Sequence, residues 1–88
     1  MDAYDAIQFK RLKAVGNCPF CDLSDVRLSK VDLKGANLIK VNLSLAYLDK
    51  IDLTGENLTG ANLTGAIMKG VVFCVTIMPD GTTNNSGC

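Results

Sequence analysis

The chain has no histidine and no tryptophan, and among its 88 residues there are only two prolines, three phenylalanines and two tyrosines. Without histidine the usual nucleophile–base triads lack their base, and zinc sites that use imidazole are excluded. Net charge is missing as well, because nine acidic residues offset nine basic ones. A neutral chain carries no basic stripe of the kind that nucleic-acid binding needs, and it is equally unlike a strongly acidic mimic of DNA. No apolar run approaches the about 20 residues of a membrane span. The start, Met1-Asp2-Ala3-Tyr4-Asp5, is acidic and leads into no apolar h-region, so it does not read as a secretory signal. Export then implies a signal already removed, with Met1 added for expression. No glycine-rich loop is placed to cradle a phosphate, and Asp22, Asp32 and Asp52 give no paired-carboxylate geometry. The length predicts one domain, with a core small enough to invite additional staples.

What the chain does have is leucine at every fifth residue. Leu23, Leu28, Leu33, Leu38, Leu43, Leu48, Leu53, Leu58 and Leu63 form nine consecutive repeats, and the register continues through Met68, Phe73 and Met78. A period of five fits neither an α-helix nor a simple strand, so these residues predict the buried positions of a repeat architecture. Two residues before ten of these twelve stands a small or β-branched apolar side chain: Cys21, Val26, Val31, Ala36, Val41, Ala46, Ile51, Ala61, Ala66 and Val71. Numbered from there, positions one and three of each five-residue unit are apolar and the others mostly polar. That is a short alternating strand followed by a turn.

Two flanks enclose the repeats. Residues 1–17 predict a short amphipathic helix, with Asp2 as N-cap and Asp5 three residues on. Lys10, Arg11 and Lys13 lie in its last turns, Tyr4, Ile7 and Phe9 to Leu12 form its apolar side, and Gly16-Asn17 is its stop. Residues 18–80 hold the repeats. Pro79-Asp80-Gly81 is a turn that ends them, and residues 81–88 form a polar tail.

The pattern resembles the pentapeptide repeat family, whose consensus is A(D/N)LXX. The resemblance covers about two-thirds of the chain. Asn17-Cys18-Pro19-Phe20-Cys21-Asp22-Leu23 is similar to the CPxCDL opening of many cyanobacterial and plastid members, and the stretch from Met78 to Cys88 is similar to an ending found in the same group. The resemblance implies an all-β fold, a right-handed quadrilateral β-helix of about three coils, here with a short N-terminal α-helix over one end. Four repeats per coil would stack residues twenty apart. Val31, Ile51 and Val71 then form one β-branched column and Leu33, Leu53 and Phe73 the next, as strand ladders favour. The helix and the tail would cap the two ends of the stack, which favours a monomer.

Four cysteines in a short chain suit a disulfide framework and an oxidising compartment. Cys18, Cys21, Cys74 and Cys88 allow three connectivities, which the sequence does not separate. The two local pairs, Cys18–Cys21 and Cys74–Cys88, are favoured, and the second would pin the tail over the last coil. Cys18-Pro19-Phe20-Cys21 is also a CxxC, but it lacks the βαβ context of a redox motif. Glu56 breaks the repeat by placing a carboxylate at an inward position; backbone N–H groups, Thr76 or water are its expected partners. Asp32 and Asp52 share an outward column, as do Lys30 and Lys50, and these read as solvated surface. Asp22, Asn42 and Asn62, Asn37 with Asn57, and Ser24 with Ser44 and Thr64 read as polar ladders that support turns.

These readings converge on a non-enzymatic structural or protein-interaction module without cofactor or metal. Its partner would be an unidentified protein rather than nucleic acid or membrane. The resemblance implies export to a periplasm or thylakoid lumen. The alternative, also drawn from the resemblance, is a cytoplasmic DNA-mimic regulator of DNA gyrase. Seven acidic and six basic residues across 21–80 leave that surface nearly neutral and count against it.

Overall fold

The structure, a computed structural model, describes residues 6–29, 33 and 37–88. It opens with α1 (Ala6–Val15), built from good helix formers such as Ala, Gln, Lys, Arg and Leu. Gly16 ends it with φ +73°, its N–H donating to the Leu12 carbonyl at 2.8 Å, a left-handed C-cap that favours glycine. The predicted N-cap Asp2, together with Tyr4 and Asp5, lies outside the described residues. The predicted apolar side needs one correction. Ile7 is 80% exposed, whereas Leu12 is buried and Phe9 packs against the core. Leu12 lies one turn beyond Gln8, whose side chain is tied to the repeats, and Ile7 falls on the opposite side.

From Asn17 onward the chain pairs with itself in parallel at a register of twenty residues. The bridges run Asn17 to Asn37 to Asn57 to Ile77, Asp22 to Asn42 to Asn62, Arg27 to Tyr47 to Ile67, and Asp52 to Val72. Four five-residue repeats therefore separate each residue from its ladder partner, and the outward residues form four columns. We label them by their bridges: the Asp22, Arg27, Asp52 and Asn57 columns. From Cys21 to Val71 the described repeats close a turn in which the N–H of position one donates to the carbonyl of the preceding position three, as from Ala46 to Leu43 at 3.1 Å and from Ala61 to Leu58 at 2.8 Å.

Position five absorbs the bend. Phe20, Asp25, Lys40, Leu45, Lys50 and Val75 all have φ between 52° and 63°, and Gly55, Gly60, Gly65 and Gly70 lie between 70° and 75°. The non-glycine residues pay about 1–2 kcal/mol each for this. Glycine has a second use at two of these positions. A Cβ at Gly60 would come within 2.9 Å of Lys40 Cγ, and one at Gly65 within 2.7 Å of Leu45 Cδ2. The long side chains of one layer thus lie across the glycines of the next.

The leucines form the core. Leu23, Leu28, Leu33, Leu38, Leu43, Leu48, Leu53 and Leu58 are each at most 1% exposed, lined by Val26, Val41, Ala46, Ile51 and Ala61. Val31 and Ala36 lie outside the described residues. Leu63, Met68, Phe73 and Met78 keep the register but are only half-buried. The reason is positional, since no further layer covers them.

The two ends are treated differently. At the first layer, Leu12 and Phe9 of α1 pack on the core, and Gln8 Oε1 accepts the Asp22 N–H at 2.8 Å, a donor that deeper in the stack would find the carbonyl of a previous layer. At the last layer the chain turns at Gly81, whose N–H donates to the Met78 carbonyl at 2.9 Å. It then doubles back so that β2 (Thr83–Asn84) runs antiparallel to β1 (Thr76–Ile77). The tail takes the Val75 N–H on Asn85 Oδ1 at 2.7 Å and donates the Gly87 N–H to the Phe73 carbonyl at 2.7 Å. This cover extends over residues 71–80 alone. Among the described residues, the N–H groups of Leu63, Gly65, Met68 and Gly70 have no such partner, so the predicted cap closes half of that end.

Because burial differs along one register, truncation should differ too. Leu48→Ala, in the middle layer, should lower the unfolding free energy by about 2–5 kcal/mol in urea titrations. Met68→Ala, at the half-open end, should cost clearly less.

Candidate functional site

Each repeat brings five backbone N–H donors, and their disposal explains the outward residues. Position one closes the turn. Position two donates to the previous layer, as Asn62 does to the Val41 carbonyl at 2.9 Å. Positions three and five donate to the next layer, as Leu43 does to Asn62 and Leu45 to Thr64, at 2.8 and 2.9 Å. Position four has no backbone acceptor in this scheme, and a polar group left unpaired beside a core is costly.

The side chain at position two accepts that donor. Asp22 Oδ1 takes the Ser24 N–H at 3.1 Å, Asn37 that of Ile39 at 3.2 Å, Asn42 that of Ser44 at 3.1 Å, Asp52 that of Thr54 at 2.9 Å, Asn57 that of Thr59 at 3.1 Å and Asn62 that of Thr64 at 3.0 Å. At Ser24, Ser44, Thr54 and Thr59 the position-four hydroxyl donates to the same oxygen, as Ser44 does to Asn42 at 2.7 Å. The polar ladders read from the sequence are thus bridged through their backbones, while their side chains bond two residues along their own repeat. That is an Asx turn, whose geometry is local.

The exceptions follow the same accounting. Pro19 and Pro79 have no N–H, and before them Asn17 Oδ1 instead accepts the Asn37 N–H at 2.9 Å, while Ile77 needs no polar group. Val72 offers no acceptor, and the Cys74 N–H goes to Thr76 Oγ1 at 3.1 Å. The Thr76 hydroxyl donates to the Leu53 carbonyl at 2.8 Å. Its proton is therefore directed away from Glu56, which the structure buries at 1% exposure rather than bending it outward.

One column follows another rule in every layer. Arg27, Tyr47 and Ile67 occupy position two there, and none is an Asx. The Arg27 guanidinium lies 5.2 Å from the centre of the Tyr47 ring. Ser29 Oγ donates to Asp49 Oδ1 at 2.6 Å, which holds the Asp49 carboxyl below its usual range, helped by its own backbone N–H. Tyr47 is 38% exposed, Ile67 44% and Leu45, at the adjoining corner, 57%. Lys50 and Lys69 are exposed beside them. Lys30 and Asp32 lie outside the described residues, and residue types alone do not single out this column because the Asx rule that isolates it needs the hydrogen bonds.

The cysteines lie at the ends of the stack. Cys18 and Cys21 stand at disulfide distance in the core, with Cα atoms 5.5 Å apart; Cys74 and Cys88 do so at the tail, with Cα atoms 4.9 Å apart. Cys18 is fully buried and Cys21 4% exposed, positions that suit packing rather than exchange with an external thiol. Among the described residues no pocket opens, no group of three or more His, Cys, Asp or Glu could hold a metal, and no helix is long and apolar enough to cross a membrane.

Comparison with known proteins matches the model for pentapeptide repeats, in eight copies, over residues 17–55 and 57–78. The interruption falls on Glu56. Among solved structures the chain is similar to HetL, a pentapeptide repeat protein involved in heterocyst differentiation regulation from the cyanobacterium Nostoc sp. strain PCC 7120. The identity is 26% and the TM-score 0.38, over 83% of this chain and 46% of HetL. The chain thus spans about half of that protein's length. No curated protein matches.

Two tests follow from the turns. Asn57→Ala should lower the unfolding free energy by about 1 kcal/mol through loss of the acceptor for Thr59, whereas Asn57→Asp should be nearly neutral; urea titration separates them. Asp80 Oδ1 accepts from the Thr82 N–H and hydroxyl at 3.0 and 2.6 Å, and the hydroxyl first, then the N–H, hold its carboxyl below the ordinary value of 3.8. A carboxyl depressed by folding contributes stability above 3.8 that is lost as pH falls through its folded pKa. Thermal melts from pH 6 down to about pH 2 should therefore show a smaller acid decline for Asp80→Asn, which keeps the acceptor without the titration.

Proposed function

Because the chain belongs to the pentapeptide repeat family, we propose that it is a non-enzymatic scaffold acting as a monomer on a protein partner. In this reading it forms a right-handed, four-sided β-helix of about three coils and works in an exported setting such as a periplasm or thylakoid lumen. The observation that carries the reading is the use of the outward side chains. In three of the four columns the Asp and Asn residues at position two are engaged in closing turns or bridging layers, so they hold a rigid surface in place. Rigid side chains are a good basis for recognition, since little freedom is lost on binding. Paired cysteines at both ends of the stack suit an oxidising compartment, and the tail over residues 71–80 suits a monomer.

A gyrase supercoiling assay with micromolar protein, run beside a count of free thiols in freshly purified material, tests this reading. No inhibition and no free thiols are expected. Inhibition together with four free thiols would replace the reading with a cytoplasmic regulator of gyrase.

A further inference from the structure

Building on that scaffold reading, we propose that the Arg27–Tyr47–Ile67 column, with the Leu45 corner, is the partner-binding face, and that it takes an acidic, aliphatic-bearing segment of a protein. The first ground is what the fold does not explain. Elsewhere among the described residues, position two is Asn or Asp serving the position-four N–H, or a residue relieved of that duty by Pro19, Pro79 or Thr76. In this column three successive layers forgo the Asx and present a cation, an aromatic ring and an aliphatic side chain at bridged positions. The structural return is partial: Ser29 donates to Asp49, Asp49 accepts its own backbone N–H and Arg27 lies over Tyr47, while Ile67 and Lys69 gain nothing comparable. Sequence choices that break the local rule of a fold for so little in return mark functional surface.

The second ground is charge. The described repeats carry exposed cations at Arg27, Lys40, Lys50 and Lys69, and three of these four belong to this face. Against these three cations the face and its corner hold two carboxylates, Asp49 and Asp25, of which Asp49 is engaged by the Ser29 hydroxyl at 2.6 Å. Asp25 stands at the corner of the first layer, below Leu45, and Asp22, Asp52 and Asp80 belong to other columns. A chain with no net charge therefore holds a local excess of positive charge around exposed Tyr47, Ile67 and Leu45. Such a surface complements carboxylates interspersed with aliphatic groups. It has one aromatic ring rather than a run of stacking platforms, and the zero net charge supplies no long-range steering toward a polyanion, which disfavours nucleic acid.

The fold supplies a decisive variant. Arg27→Asn, Tyr47→Asn and Ile67→Asn combined would install on this face the Asx turn already used on the others. Fluorescence anisotropy would be read with a labelled octapeptide of alternating Glu and Leu, with its Lys/Leu counterpart, a single-stranded oligonucleotide and anionic phospholipid vesicles as competitors for the assignment. The native protein should bind the Glu/Leu peptide, more weakly as salt rises, and the triple variant should lose about tenfold or more in affinity with an unchanged or raised Tm. A lowered Tm in the triple variant would make the column structural and overturn the assignment. So would equal peptide binding by both proteins, no binding at roughly millimolar peptide, or tighter binding of the Lys/Leu peptide, oligonucleotide or vesicles. These outcomes leave the scaffold reading intact, because that reading depends on the gyrase and thiol measurements.

Discussion

The N–H of position four in each repeat has no backbone acceptor, and much of this structure is arranged around that donor. Four of the five donors in a repeat are consumed by the turn and by the layers on either side. The fifth points toward the outward side chain two residues earlier, which can serve it only if it ends in a short-armed oxygen. Asp and Asn have that reach. The alternation of Asp and Asn with Ser and Thr across Asp22–Ser24, Asn42–Ser44, Asp52–Thr54, Asn57–Thr59 and Asn62–Thr64 is the chemical consequence. Proline at position four removes the donor altogether, which is how Pro79 permits Ile77 at position two.

The same constraint separates structure from recognition. A side chain held by its own turn is a fixed part of the surface, and its identity is accounted for by stability. A column that holds Arg27, Tyr47 and Ile67 in place of Asx gives up that contribution in each layer, with the Arg27–Tyr47 contact, the Ser29–Asp49 hydrogen bond and the Asp49 carboxyl on its own N–H as visible compensation. The position-four donors there are served in other ways: the Asp49 carboxyl accepts its own N–H, and Lys69 is exposed and Ser29 half-exposed, so water can serve their donors.

The ends of the stack show the cost of a finite ladder. α1 closes one end by a side chain and a pair of apolar residues: Gln8 supplies the missing acceptor, and Phe9 and Leu12 supply the missing layer. The tail closes part of the other end with a single antiparallel pairing, an Asn85 side chain and the Cys74–Cys88 contact. An eight-residue tail can follow two sides of the last layer, and the remaining edge at residues 61–70 stays open. Leu63 and Met68, like Phe73 and Met78, are half-buried because no further layer covers them, although their register is that of the fully buried leucines.

The period of five, the inward positions and the helix stop at Gly16 were determined by the sequence alone, because each depends on residue type within one repeat or one turn. The buried leucines from Leu23 to Leu58 are legible for that reason. The burial of Glu56, the exposure of Ile7, the half-open end and the Arg27–Tyr47–Ile67 column were decided only by the tertiary structure. Each depends on what lies a full layer, about twenty residues, away, or on which face of α1 meets the first layer. Asp22, Asn42 and Asn62 show the boundary clearly: the sequence aligned them as a column, but only the hydrogen bonds show that each oxygen serves its own turn and that their column differs in kind from the one beside it.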